Sequence, residues 1–245
     1  MKKPLFAFCT FALLALGAAA ADSPLPATGH PDSSGQGWTP LIADDLSNTT
    51  LANNKDRAWV LESPGTFRSD IDRMVFTKDA HENFILDLEF KLAPGTNGGI
   101  ILFASETGNW IPNSIEVQVA DDSDPKWSAD PKTRCGSFYG RQPAAKFTVK
   151  KPGEWNRFTI TCIGKKVQVR LNGETVNAFD LADFKDAKTN PDGSKAPPWL
   201  SKPPAGLPAK GHIGLQGKHG GAPVWYRNIR LHALTEEEAK AVTLK

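Results

Sequence analysis

The feature that most restricts what this chain can fold into is a hydrophobic period of two. Phe84, Leu86, Leu88, Phe90 and Leu92 alternate with Ile85, Asp87, Glu89 and Lys91. Successive side chains of an extended strand point to opposite faces, so this run predicts a half-buried strand with one face in a core. Ile115, Val117 and Val119 alternate with Glu116 and Gln118 in the same way, and Val167, Val169 and Leu171 with Gln168 and Arg170. Asn172-Gly173 then supplies a two-residue hairpin turn, whose central positions need positive φ, and 175–179 returns as the partner strand. Further strands are predicted over 59–62, 74–77, 99–103, 157–163, 211–216 and 224–232. Turn clusters separate them, as at 93–99 and 151–154. Many short strands that do not alternate with helices predict an all-β jelly-roll sandwich of two antiparallel sheets. Thr235 followed by Glu238 reads as a capping box, predicting a short C-terminal helix.

The N-terminus has another logic. Lys2 and Lys3 precede an apolar run over 5–16 and small residues over 17–21. This is the layout of a signal peptide over 1–21, cut near Ala20-Ala21, and it predicts a periplasmic or secreted product. The run falls short of the roughly 20 apolar residues that a spanning helix needs, so no membrane span is expected in the mature chain. Residues 22–37 are rich in Pro, Ser, Gly and Asp and read as a flexible leader. The folded domain is expected over 38–234, with a tail over 235–245. The roughly 220 residues left after cleavage suit one all-β domain. A formal net charge of +2, with no basic stripe, gives no support for a nucleic-acid partner. In an oxidising compartment Cys135 and Cys162 are compatible with one disulfide, and equally with two buried thiols.

The chain has no G-x-S-x-G elbow, H-E-x-x-H, P-loop, or G-x-G-x-x-G after a strand, so serine-hydrolase, zincin and nucleotide chemistries have no motif here. What it offers is polar residues on strands and strand ends. Glu116 and Gln118 stand two apart on one strand and share a face, where a carboxylate and an amide suit sugar hydroxyls. The carboxylate can also act as a general base; a plain solvated strand face has the same pattern. His219 sits in a glycine-rich turn after Gln216, a place where a proton-exchanging or ligating histidine is often held. Arg227 and Asn228 suit an anionic or enolate oxygen, or equally a tie between a strand edge and its neighbour. Asn97 lies beside Gly98-Gly99, and Tyr139 within Gly136-Ser137-Phe138-Tyr139-Gly140. Tyr139 and Trp110 are candidate platforms for the apolar face of a sugar, although aromatics in sandwiches often belong to the core. The long segment 183–210, rich in Pro, Gly and Lys, is of a length that is often functional.

Taken together, these segments resemble the 3-keto-disaccharide hydrolase family. The resemblance runs from Gly37-Trp38 to about Leu234. It is carried by Gly37-Trp38-Thr39-Pro40-Leu41, the 84–92 strand, Asn97-Gly98-Gly99-Ile100, Ile115-Glu116-Val117-Gln118-Val119 and Gly136-Ser137-Phe138-Tyr139-Gly140. Gly153-Glu154-Trp155-Asn156, Leu171-Asn172-Gly173, Gly211-His212-Ile213-Gly214-Leu215-Gln216 and the 224–231 strand follow in order. It implies a concanavalin/LamG-like jelly roll and cleavage of glycosides already oxidised at C3. Such chemistry asks for one base, one enolate stabiliser and one proton donor rather than paired glycosidase carboxylates. On that resemblance Glu116 or His219 is the base, Arg227 or a divalent metal stands at the enolate oxygen, and Gln118 and Gln216 orient hydroxyls. A non-catalytic carbohydrate-binding module is the alternative, since one fold serves many functions, and an adhesion domain without a small ligand is a third reading.

Overall fold

The structure, a computed structural model, describes residues 25–51 and 54–244; the expected signal peptide lies outside the described residues. The strands are β1 (Trp38–Pro40), β2 (Trp59–Ser63), β3 (Thr66–Ser69), β4 (Val75–Phe76), β5 (Phe84–Leu92), β6 (Asn97–Ala104), β7 (Ile115–Ala120), β8 (Trp155–Ile163), β9 (Lys166–Leu171), β10 (Glu174–Asp180), β11 (His212–His219) and β12 (Val224–Ala233). A single-turn helix α1 (Pro125–Ser128) and a terminal helix α2 (Glu236–Ala241) complete the regular elements. The expected strands and the capping box are present: Thr235 accepts from the Glu238 backbone, and Glu238 returns a carboxylate to the Thr235 N–H. Two short strands, β1 and β3, had no sequence signal.

All pairings are antiparallel. The large sheet runs β10-β9-β8-β5-β12-β3-β2, with β1 added beside β12; the small sheet runs β4-β11-β6-β7. The two sheets face each other across one core. Phe84, Leu86, Leu88, Phe90 and Leu92 from β5 meet Ile100 and Leu102 from β6, Ile115, Val117 and Val119 from β7, and Ile213 and Leu215 from β11. This is the two-layer jelly roll that the alternation predicts. Tyr226 crosses the core from β12, and its hydroxyl donates to the Gln216 carbonyl at 3.0 Å, tying one sheet to the other.

Two expectations are corrected, and one open alternative is decided. First, the described part of the leader, from Leu25 on, is docked rather than free on the outer face of the large sheet. Arg170 donates to the carbonyls of Pro26, Ala27 and Gly29, and Arg157 to that of Pro31. Leu25 packs with Trp38, Ile85, Leu234 and Val242. Secondly, β5 is therefore covered on both faces over its first half, through Asp87, while Glu89 and Lys91 stay partly exposed. Asp87, only 2 % exposed, accepts from Ser33 at 2.7 Å, Thr159 at 2.8 Å and Arg157 Nη2 at 2.7 Å. Of the two readings left open for the cysteines, the structure has the second: Cys135 and Cys162 are free, buried thiols of the core, and burial pushes both well above the ordinary thiol range.

The Asp87 clamp is the buried charge on which the docked leader closes. Asp87→Ala leaves Arg157, Ser33 and Thr159 without their shared acceptor. Loss of one partner of a buried ion pair costs about 3–5 kcal/mol, and the exposure of Arg157 puts the expected loss near the lower end, about 3 kcal/mol. Equilibrium urea unfolding measures it, with faster proteolysis before residue 38 as a companion effect.

Candidate active site

The small sheet turns one face to the core and the other to a cavity of about 250 Å³. The parity of its strands decides what lines the floor. In β7, Glu116 and Gln118 point away from the core. Gly99 on β6 stands opposite Gln118 and, on its other side, opposite Gln216 on β11. Gly99 is the piece that makes room: a Cβ there would lie 2.1 Å from Glu116 Oε1 and 2.7 Å from its Cδ and Cγ. The Glu116 side chain therefore lies flat across β6 instead of standing off the sheet. Among the described residues no hydrogen bond or ion pair reaches its carboxylate. Burial without a counter-charge raises its pKa to about 8.

His219 reaches the same cavity through a register irregularity. Gln216 pairs with Gly99 and His219 with Asn97, so three steps on β11 match two on β6. The extra residue is a bulge, with Lys218 at φ 57°. In a regular strand, residues three apart face opposite sides; the bulge restores the parity, and both Gln216 and His219 line the cavity. His219 lies at the end of β11 rather than in the turn after it. Its Nδ1 is 3.0 Å from Asp72 Oδ2, which leaves Nε2 as the nitrogen able to meet a ligand.

Tyr139 is carried to the site by a short extended segment that runs beside β7: its N–H donates to the Glu116 carbonyl, and Gln118 N–H donates to Ser137. Burial and the nearby Glu116 carboxylate push the Tyr139 phenol upward. Asn97, Trp110, Tyr139, Glu116, Gln216 and His219 thus meet in one cavity.

Two sequence candidates do not join them. Gln118 shares the face of Glu116, yet it is fully buried under the segment that follows α1, its amide donating to Asn97 Oδ1 and to the Thr133 carbonyl, both at 3.1 Å. It braces Asn97 and the roof instead of lining the cavity. Arg227 belongs to the large sheet, so its outward side chain emerges on the opposite side of the molecule. There it bonds Glu89 Oε2 at 2.7 Å and stacks 3.9 Å from the Trp155 ring centre, while Asn228 bonds the same Glu89 oxygen. The strand-tying reading describes this pair.

The cations of the cavity come from elsewhere. Arg73, Arg141 and Lys202 line it. Lys202 Nζ donates to Asn113 Oδ1 at 2.5 Å, and Arg73 pairs with Asp56 at 2.5 Å. Arg141, 2 % exposed, donates through Nη1 to the Asp186 carbonyl and Asn190 Oδ1, and through Nη2 to the Leu200 and Lys202 carbonyls. It nails the 183–210 segment to the cavity wall and keeps only Nε unengaged. Sequence reasoning missed all three because they sit in irregular segments, where no period marks a facing side. Among the described residues no three His, Cys, Asp or Glu side chains cluster as a metal site, so the side chains present do not make a ready set of ligands for the divalent ion considered above.

An all-β sandwich of two antiparallel sheets with an aromatic-walled cavity on the smaller one defines the class: a jelly-roll domain. The comparisons specify it further. The model of the 3-keto-alpha-glucoside-1,2-lyase-like domain matches residues 33–232, and the chain belongs to that family. It is 31% identical over 173 residues to the 3-keto-disaccharide hydrolase of Bacteroides thetaiotaomicron, covering 62% of this chain and 59% of that protein; the chain thus spans about six tenths of this curated relative. A crystal structure from Parabacteroides distasonis ATCC 8503, named as a candidate glycosyl hydrolase, is 44% identical with a TM-score of 0.76, covering 80% of this chain and 99% of that one. A second structure from the same organism shares the fold at a TM-score of 0.65 and 19% identity, over 83% of this chain and 96% of that one.

Two outcomes follow from the Glu116 geometry. Gly99→Ala is expected to leave the fold intact and to drive the carboxylate off β6, seen as a displaced Glu116 in a crystal structure of the variant. The second concerns stability. Glu116 ionises near its ordinary 4.5 when unfolded and near 8 when folded. Between those values the folded chain holds a proton that the unfolded chain has lost, so this group's contribution to stability falls as pH rises through the window. Glu116→Gln removes that slope. Relative to the native chain it should gain on the order of a few kcal/mol between pH 4.5 and pH 8. Urea midpoints at the two ends of the window measure the gain.

Proposed function

We propose that this chain cleaves 3-keto-glycosides by elimination and hydration. The observation that carries the reading is the lone, raised Glu116 carboxyl on the floor of a cavity whose only other lining carboxylate, Asp72, is exposed and bonded to His219. Direct glycoside hydrolysis asks for two carboxyl groups flanking the bond. A C3 ketone asks for less. It acidifies the hydrogen on C2, and Glu116 accepts that proton. The resulting enolate carries its charge on the C3 oxygen, where the cavity cations Lys202 and Arg73 offer stabilisation. As the ketone re-forms, the electron pair makes the C1=C2 bond and expels the C1 oxygen substituent, which takes a proton from His219. Water then adds its hydroxyl to C1, its other proton passing to His219 and restoring it, while Glu116 returns the proton to C2, giving a 3-keto sugar and a free alcohol. Asn97 and Gln216 supply hydroxyl contacts, and Trp110 and Tyr139 supply apolar faces.

Export fits this reading: the basic and apolar N-terminal run supports a periplasmic or secreted site of action, and no described helix is long and apolar enough to cross a membrane. A binding module on the same fold would bind such glycosides without releasing the alcohol.

The test is a 3-keto-glucoside with a chromogenic leaving group, incubated with purified protein with and without chelator. Release is expected. Binding without release would favour the module, and loss with chelator alone would reveal a metal requirement. Glu116→Gln should lower kcat by roughly 10²–10⁴-fold, the usual weight of a general base. Because Glu116 must be deprotonated while His219 must carry a proton, kcat/KM should rise and then fall with pH, and Glu116→Gln should remove the limb that belongs to the base; at pH 7 roughly a tenth of the Glu116 carboxyl is ionised. A profile of the same shape in the native chain and in Glu116→Gln would remove Glu116 from the role.

A further inference from the structure

Among the described large hydrophobic residues, five are conspicuously exposed: Leu61, Ile71, Ile111, Phe147 and Trp199. Two of them, Trp199 at 54 % and Ile111 at 40 % exposure, line the same cavity. They come from two different irregular segments, 105–114 and 183–210. Single exposed apolar side chains need no explanation, but two on one cavity rim are a surface left for something to cover.

The segment that carries Trp199 is a built wall. Arg141 binds its carbonyls on both sides of the tryptophan, at Asp186 and at Leu200 and Lys202. Asn190 Nδ2 donates to the Gly140 carbonyl at 3.1 Å, and Lys165 holds the Ala205 carbonyl at 2.5 Å. Gly140, at φ +66°, has no side chain where Pro197 and Leu200 press in: a Cβ there would lie 2.7 Å from Pro197 and 3.1 Å from Leu200. The backbone that carries Trp199 is therefore held at a fixed place, so the ordering cost of the segment is already met before a ligand arrives.

Size decides what the rim meets. The cavity volume of about 250 Å³ lies below the roughly 300 Å³ at which pockets begin to take up whole drug-sized ligands. A cavity of this size suits one sugar ring over Glu116, which would leave whatever is attached at C1 beyond the rim.

We propose that Trp199 and Ile111 form a second, outer subsite that receives the leaving group, and that this subsite selects leaving groups which are rings with an apolar face. The inference rests on the proposed cleavage reading for the placement of the ketone-bearing ring. The flat face of a pyranose and that of an aryl group share the chemistry that stacks on an indole. Trp199 is a specificity residue here; Arg141 is a positioning residue that acts through it.

The test compares kcat/KM for three 3-keto-glucosides, with methyl, glucosyl and aryl leaving groups. The same three are titrated by calorimetry against Glu116→Gln, which binds without turning over, and against Glu116→Gln combined with Trp199→Ala. The ring-to-methyl preference is expected to fall about tenfold in Trp199→Ala and to recover largely in Trp199→Phe, for stacking of this size. Because Trp199 is exposed, the variant keeps its fold, checked by its unchanged urea midpoint. A loss for the glucosyl compound alone identifies a sugar leaving group, and a loss for the aryl compound alone an aryl one; both uphold the subsite. An unchanged preference, or an equal loss for methyl and ring compounds, overturns it. The calorimetric arm separates the two claims. Ring-selective binding without turnover in the native chain keeps the subsite and removes the cleavage reading, whereas no binding of any compound removes both.

Discussion

A carboxylate lying flat across a glycine, with no counter-charge, is the constraint on which the site depends. Glu116 reaches its place because Gly99 offers no Cβ, and because the strands around it are closely spaced and fixed in register. The sandwich supplies the stiffness. β6, β7 and β11 bury Ile100, Leu102, Val117, Val119, Ile213 and Leu215 on one side, so their other faces cannot turn away from the cavity. Tyr226 adds a rivet through the core to the Gln216 backbone. The isolated carboxyl is costly, and a fold that keeps such a cost at a cavity floor suggests that the cost is tied to chemistry.

The large sheet plays the complementary part. Its inner face supplies the core, and the part of its outer face around Ile85 and Asp87 is closed by the docked leader, Trp38 and α2. Polar pairing replaces exposure there: Asp87 with Arg157, and Glu89 with Arg227. This division leaves the small sheet as the face that opens onto the Glu116 cavity. It also explains why basic residues from the large sheet, Arg227 among them, are structural.

Much of this was legible in the sequence, and the boundary has physical reasons. Period-two alternation is a local property, so β5, β7 and β9, the Asn172-Gly173 turn and the Thr235–Glu238 capping box could be read directly. Which of two faces becomes the cavity is a property of sheet pairing, and here pattern reasoning failed in both directions. Gln118 has the right face but lies under a roof laid by 131–137. Arg227 has an outward side chain, but on the wrong sheet. His219 was found for a loose reason; the β11 bulge that aims it leaves no mark beyond glycines and a lysine. The docked leader was invisible because arginines grip its backbone carbonyls, and a carbonyl has no sequence identity. Arg73, Arg141, Lys202 and Trp199 converge from segments far apart in the chain, without periodicity to announce a common direction.

The central claim, that Glu116 is a half-buried, desolvated carboxyl held for proton transfer, can be tested without substrate. Carbon-13 labelling of the glutamate side-chain carboxyls, with Glu116→Gln to assign the resonance, allows its titration to be followed by NMR. The account requires a midpoint near 8. A midpoint near the ordinary 4.5 would mean that the carboxylate is solvated and paired with water, and the site would lose its base.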